Sequence, residues 1–214
     1  MKKKLIGVLN HKGGVGKTFI ASHLIWGLNQ FYGKKVLGID TDSQCDLLRW
    51  MGGNSWTGND VSFNGVKIMR YRKNFVRQAD FNKYDYIIWD SRPAIEDLAE
   101  MIKNFDMVLI PIDGRLSVDS ALDVKYLINE LGIVNNVYII RNKIVDVRPA
   151  LRRREELLVT GLNSEIIQGG IIYSELVRAS EYYRMPVWRI KAYGVHLSGI
   201  TPFFKMLCEK VIYG

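Results

Sequence analysis

Asn10-His11-Lys12-Gly13-Gly14-Val15-Gly16-Lys17-Thr18 follows directly on the apolar run 5–9 and opens a stretch, 17–32, with apolar residues at Ile20, Leu24, Ile25 and Leu28. The run is apolar at successive positions, as in a strand buried on both faces. The stretch has helical spacing, and Gly33 follows where a helix C-cap belongs. A glycine-rich turn between a strand and a helix N-terminus suits phosphate. Without Cβ atoms, backbone N–H groups converge on the oxygens, and the helix end adds partial positive charge. Lys17 is then expected on the β- and γ-phosphates and the Thr18 hydroxyl on Mg²⁺. The expected ligand shell is Lys12, Gly13, Gly14, Val15, Gly16, Lys17, Thr18 and Phe19.

Working outward, further apolar runs at 36–39, 86–89, 107–112 and 137–140 alternate with helical patterns at 94–104 and 117–131. This alternation predicts an α/β fold: a mainly parallel, twisted sheet with helices on both faces, with ligands at the carboxyl ends of the strands. Residues 51–60, rich in Gly, Asn and Ser, read as a surface loop. The length of 214 residues suits one domain, 1–214.

Carboxylates stand where such a sheet places its chemistry. The run 36–39 leads to Asp40-Thr41-Asp42-Ser43-Gln44, and extended backbone puts Asp40 and Asp42 on one side. Asp42 also suits a helix N-cap. The run 86–89 ends in Asp90, an apolar strand followed by an acid that holds Mg²⁺ through water.

Lys-Gly-Gly-Val-Gly-Lys-Thr, with His11 where the ordinary loop has glycine and a second lysine at Lys12, is a deviant Walker A motif. It resembles the ParA/MinD family of P-loop ATPases, most closely the small ParA type lacking an N-terminal helix-turn-helix domain. The likeness is strongest over residues 4–45 and faint after 137. It implies a Mg²⁺-dependent ATPase with ATP as ligand. Lys12 reaches across a nucleotide-sandwiched dimer to the partner's phosphates, as an arginine finger does. With Lys17 and Asp42, Lys12 forms the catalytic set. Asp42 orients or activates the attacking water, and Asp40 lies near the Mg²⁺ with Thr18 and Asp90. In the family's Asp-x-Asp-Pro-Gln pattern this chain has Ser43 for proline, and Arg92 stands where a small residue is common. Asn142 occupies the place of an adenine contact.

The net charge of +8 favours a polyanionic partner. Arg148, Arg152, Arg153 and Arg154 form one basic cluster; Arg178 and Arg184 enrich the C-terminal third. Salt-sensitive, sequence-independent DNA binding is one reading of these arginines; a solvated, internally paired surface is the other. By resemblance, the chain is a DNA-partition ATPase: a homodimer with ATP, nonspecific DNA, and a centromere-binding partner of the ParB type. A cytoplasmic location is expected, since the apolar run 5–9 is too short for the apolar region of a signal; nucleoid association follows from the partition reading. The rival is a MinD-like membrane-associated positioning ATPase, which needs a detachable amphipathic C-terminus. Residues 201–214 have a suitable apolar side, but the fold needs a covering helix there, so no stable membrane anchor is expected. No run of about 18 uncharged apolar residues occurs. Cys45 and Cys208 have no metal-ligand spacing and read as free thiols, unlike the cysteines of a cluster-holding iron protein.

Overall fold

The computed structural model describes residues 3–53, 56–71, 81–91, 102–131, 136–144, 165–172, 174–190 and 199–214. The expected runs form strands: β1 (Lys4–Val8), β2 (Val36–Asp40), β5 (Tyr86–Asp90), β6 (Met107–Ile112) and β7 (Asn136–Arg141). A hairpin, β3 (Val61–Phe63) and β4 (Val66–Arg70), and a short β8 (Glu165–Ile166) complete one sheet of order β3-β4-β2-β5-β1-β6-β7-β8. Every pairing is parallel except β3 with β4.

The described helices are α1 (Lys17–Tyr32), α2 (Asp46–Gly52), α3 (Arg115–Glu130), α4 (Glu175–Tyr183) and α5 (Ile200–Tyr213). Alternate residues of each strand feed two cores. Ile6, Val8, Tyr86 and Ile88 meet α1, α2, α4 and α5 on one face; Ile87, Trp89, Val108 and Ile110 meet Val118, Ala121, Val124 and Ile128 of α3 on the other. Burial on both faces is what successive apolar residues in a parallel strand require. α1 ends at Gly33, whose φ of 64° lets its N–H bond the Asn29 carbonyl and the Lys34 N–H bond the Leu28 carbonyl. The predicted helix 94–104 lies outside the described residues but for its last three positions.

Two details differ from the sequence reading. Met51 and Gly52 belong to α2 and are not loop. The β3–β4 hairpin turns on Asn64-Gly65, with φ of 41° and 83°. Asn-Gly with two positive φ angles is the favoured two-residue hairpin turn, so the signal was present in the sequence.

α1 is fastened to the C-terminal helices by His23. The ring is fully buried, stacked between Phe19 (4.1 Å) and Phe204 (4.8 Å), with Trp26, Trp50 and Trp188 edge-on. Its Nε2 accepts the Val187 N–H at 3.2 Å, which leaves Nδ1 protonated and donating to the Phe19 carbonyl at 2.8 Å. Burial pushes its pKa down to about 3. This contribution to stability is therefore complete above the ordinary histidine value and is lost as pH falls from there toward 3.

Candidate functional site

The parallel register assembles the site. Asp40 and Asp90 are paired positions on β2 and β5, and Asp90 pairs with Val8, the last residue of β1 before the glycine loop. Three strand ends thus meet where α1 begins. Gly16 caps α1 at φ 97°, and the first intrahelical bond runs from Ile20 N–H to the Gly16 carbonyl. The N–H groups of Lys17, Thr18 and Phe19 precede it and have no intrahelical acceptor, so they are free for an anion. Among the described residues nothing lies within 4 Å of a Cβ built on Gly13 or Gly14, so the loop is open on that side.

Within this cradle Lys17 is buried, with its ammonium bonded to the Lys12 carbonyl at 3.0 Å. Burial lowers its pKa, opposed by the charges of Asp90 and Asp42. The Thr18 hydroxyl donates to Asp90 Oδ2 at 2.8 Å, while Asp90 Oδ1 is buried and unpartnered. Burial first, then the Asp40 charge, push the Asp90 carboxyl up to about 8. A buried hydroxyl–carboxylate pair with a spare oxygen and excess negative charge fits a hard divalent cation.

Asp40 behaves differently from the expectation. Its Oδ1 accepts the Asp42 N–H and its Oδ2 the Leu48 N–H, both at 3.0 Å, so the carboxylate anchors the loop and caps the first turn of α2. Burial raises its pKa to about 6 against those two bonds. Asp42 is half-buried and does not cap a helix; Oδ1 accepts the Gln44 N–H at 2.9 Å, a local turn. The residue preceding α2 is Cys45.

Three further expectations change. Phe19 has its ring in the core against His23 and Trp50, so only its backbone N–H can serve a ligand. Asn142 does face the loop, but its Nδ2 donates to the Val15 carbonyl at 2.8 Å. Its Oδ1 is buried and unpartnered. Arg184 spends its guanidinium on the carbonyls of Arg49 (3.2 Å) and Gly53 (3.0 Å), pinning the C-terminal end of α2. Arg178 is exposed and paired with Glu175 at 2.7 Å. Arg92, Arg148, Arg152, Arg153 and Arg154 lie outside the described residues.

Lys12 turns out of the cradle. Its ammonium pairs with Asp113 at 2.6 Å, and the side chain keeps 31% of its surface exposed. Asn10, at the start of the glycine-rich segment, sets this corner. Fully buried, it donates to the carbonyls of Pro111 and Ser117 and accepts the Lys12 N–H at 2.8 Å.

The raised Asp90 pKa has a measurable consequence. A carboxyl whose folded pKa lies above its unfolded value destabilises the fold as pH rises from about 4 toward 8. Asp90→Asn is therefore expected to raise the melting midpoint of the nucleotide-free protein at pH 8 by about 5 °C, on the order of 2 kcal/mol. The gain fades toward pH 4. Thermal melts across that range test it; a variant that melts lower than wild type at pH 8 contradicts the buried-charge account.

Residues 6–187 match the family model described as the CobQ/CobB/MinD/ParA nucleotide binding domain. In solved structures, the chain is similar to the septum site-determining protein MinD of Pyrococcus horikoshii in complex with Mg-ADP. That likeness has a TM-score of 0.71 and 18% identity, covering 98% of this chain and 96% of the other. It is similar to a ParA family ATPase from Chlorobium tepidum, with a TM-score of 0.71 and 16% identity over 97% of this chain and 99% of the other. An iron-sulfur cluster carrier protein of Saccharolobus solfataricus is 26% identical over 175 residues. That match takes in 63% of this chain and spans only 59% of the relative's length.

Proposed function

Because the chain belongs to the CobQ/CobB/MinD/ParA nucleotide-binding family, we propose that it is an ATP-hydrolysing switch that partitions DNA. ATP and Mg²⁺ drive two copies into a sandwich dimer that holds nonspecific DNA. A centromere-binding partner of the ParB type stimulates hydrolysis to ADP and releases it. The observation that carries this reading is the second loop lysine, Lys12, at the surface beside the phosphate cradle. In the free chain that ammonium is held by Asp113, and to serve a neighbour's phosphates it exchanges this carboxylate for them.

Lys17 moves from the Lys12 carbonyl to the β- and γ-phosphates, where its charge offsets the charge of the transferred group. Thr18 and Asp90 would hold a Mg²⁺, which would supply positive charge against the phosphates. Asp42, its second oxygen without a bond among the described residues, orients the attacking water. Asn142 Oδ1 accepts from the 6-amino group of adenine; the carbonyl of guanine at that place would face another acceptor.

Two readings from relatives fit less well. In α5, Phe203, Phe204, Leu207, Cys208 and Val211 are all buried in the core, so this face is not available for a membrane. No described helix is long and apolar enough to span one. Cluster transfer needs accessible thiolates. Cys45 and Cys208 are buried, and burial raises both thiol pKa values, that of Cys208 to about 12.

The test is binding to nonspecific duplex DNA without nucleotide, with ADP and with ATP. ATP alone is expected to promote binding, and the affinity falls roughly ten-fold or more between 50 and 200 mM salt. Asp42→Ala keeps that binding while blocking hydrolysis. If no nucleotide state binds DNA, the partition reading fails, and anionic liposomes test the membrane alternative.

A further inference from the structure

Next to Asn142, Lys143 places its ammonium 2.6 Å from the Gly14 carbonyl. Two successive side chains from the end of β7 thus take two successive loop carbonyls, those of Gly14 and Val15. We infer that Lys143 is a positioning residue for the phosphate loop, bracing it so that its amides face the nucleotide. This rests on the nucleotide-binding reading above.

The argument is one of peptide geometry. In a planar trans peptide the C=O and the following N–H point in opposite directions. Pinning the Gly14 carbonyl outward aims the Val15 N–H inward, and pinning the Val15 carbonyl does the same for the Gly16 N–H. The brace works only if its base is firm. Asn142 N–H bonds the Ile112 carbonyl at 2.7 Å, and Ile144 N–H bonds the Ile171 carbonyl at 3.0 Å, so Lys143 sits between two backbones held in place, one by β6 and one by the segment after β8. Lys143 itself has φ 52°, a left-handed conformation that a lysine adopts only when its surroundings hold it there. Among the described residues nothing lies within 4 Å of a Cβ built on Gly13 or Gly14, so the loop is not packed from that side.

Lys143→Met keeps the aliphatic stem and removes the donor. Titrations of ATP, ADP and GTP against wild type and variant are the test, at low and high salt, with the melting midpoint of the free protein as control. A brace predicts that ATP and ADP weaken by the same factor, about ten-fold for a lost charge-assisted bond. The loss persists at high salt, the ratio of ATP to GTP affinity is unchanged, and the free protein melts within about 2 °C of wild type. Unchanged affinity overturns the inference. So does a loss that is larger for ATP than ADP and vanishes with salt, which marks simple charge attraction. A changed ATP-to-GTP ratio, marking a base contact, or a lowered midpoint with normal affinity also overturns it. If wild type binds no nucleotide, the nucleotide reading itself falls; if wild type binds and the variant matches it, only the brace does.

Discussion

Gly16→Ala is expected to reduce ATP affinity at least roughly 100-fold while leaving the sheet folded. Gly16 has φ 97°, a conformation that an L side chain rarely adopts, costing about 1–2 kcal/mol or more. A Cβ there lies 2.0 Å from Asn142 Nδ2, so Asn142 must leave the Val15 carbonyl. Breaking that buried bond costs about 1–3 kcal/mol. The free variant relaxes its loop to escape the strain. Nucleotide binding must restore it, so the penalty appears in affinity. Calorimetric titration with ATP measures it, and circular dichroism checks the fold. Affinity within about three-fold of wild type would show that the observed loop shape is not the binding shape.

Asp42→Ala is expected to lower the rate of ATP hydrolysis by roughly 10²–10⁴-fold, the range for loss of a positioned acid–base group, with ATP affinity little changed. Asp42 makes no hydrogen bond to the glycine loop; its bond to Gln44 N–H is local, so its removal disturbs neither the cradle nor the Thr18–Asp90 pair. Its charge does act on Lys17, raising the lysine pKa against burial. Single-turnover hydrolysis, set beside an equilibrium titration, separates the two effects. Hydrolysis at the wild-type rate would move the water-orienting role to another residue. Loss of binding in step with hydrolysis would make Asp42 a binding residue instead.

The sequence alone determined the strand ends. A run of five successive apolar residues can be buried only on both faces, and a parallel sheet brings such runs side by side. Asp40, Asp90 and the loop after Val8 therefore had to converge wherever β1, β2 and β5 were neighbours. The glycine loop was equally legible, because the positive φ angles of Gly14 and Gly16 are a local requirement that glycine meets without a Cβ clash. The Asn64-Gly65 turn was as local and was overlooked, since its strands are short.

What each side chain does depended on partners far away in the chain. Asp40 and Asp90 look alike as strand-end acids, yet one meets the amides of Asp42 and Leu48 and the other meets Thr18. Which happens is set by where α2 and α1 begin over the sheet. Asn142 and Lys143 reach carbonyls more than 120 positions earlier, and a backbone carbonyl leaves no mark in sequence for a side chain to match. The sequence left Arg184 open between a DNA contact and an internally paired surface; its acceptors are the carbonyls of Arg49 and Gly53 in and after α2. The sequence settled which chemistry is present, through local backbone and periodicity. Only the packing of helices on the sheet decided which polar atoms are spent holding the fold and which remain for a ligand.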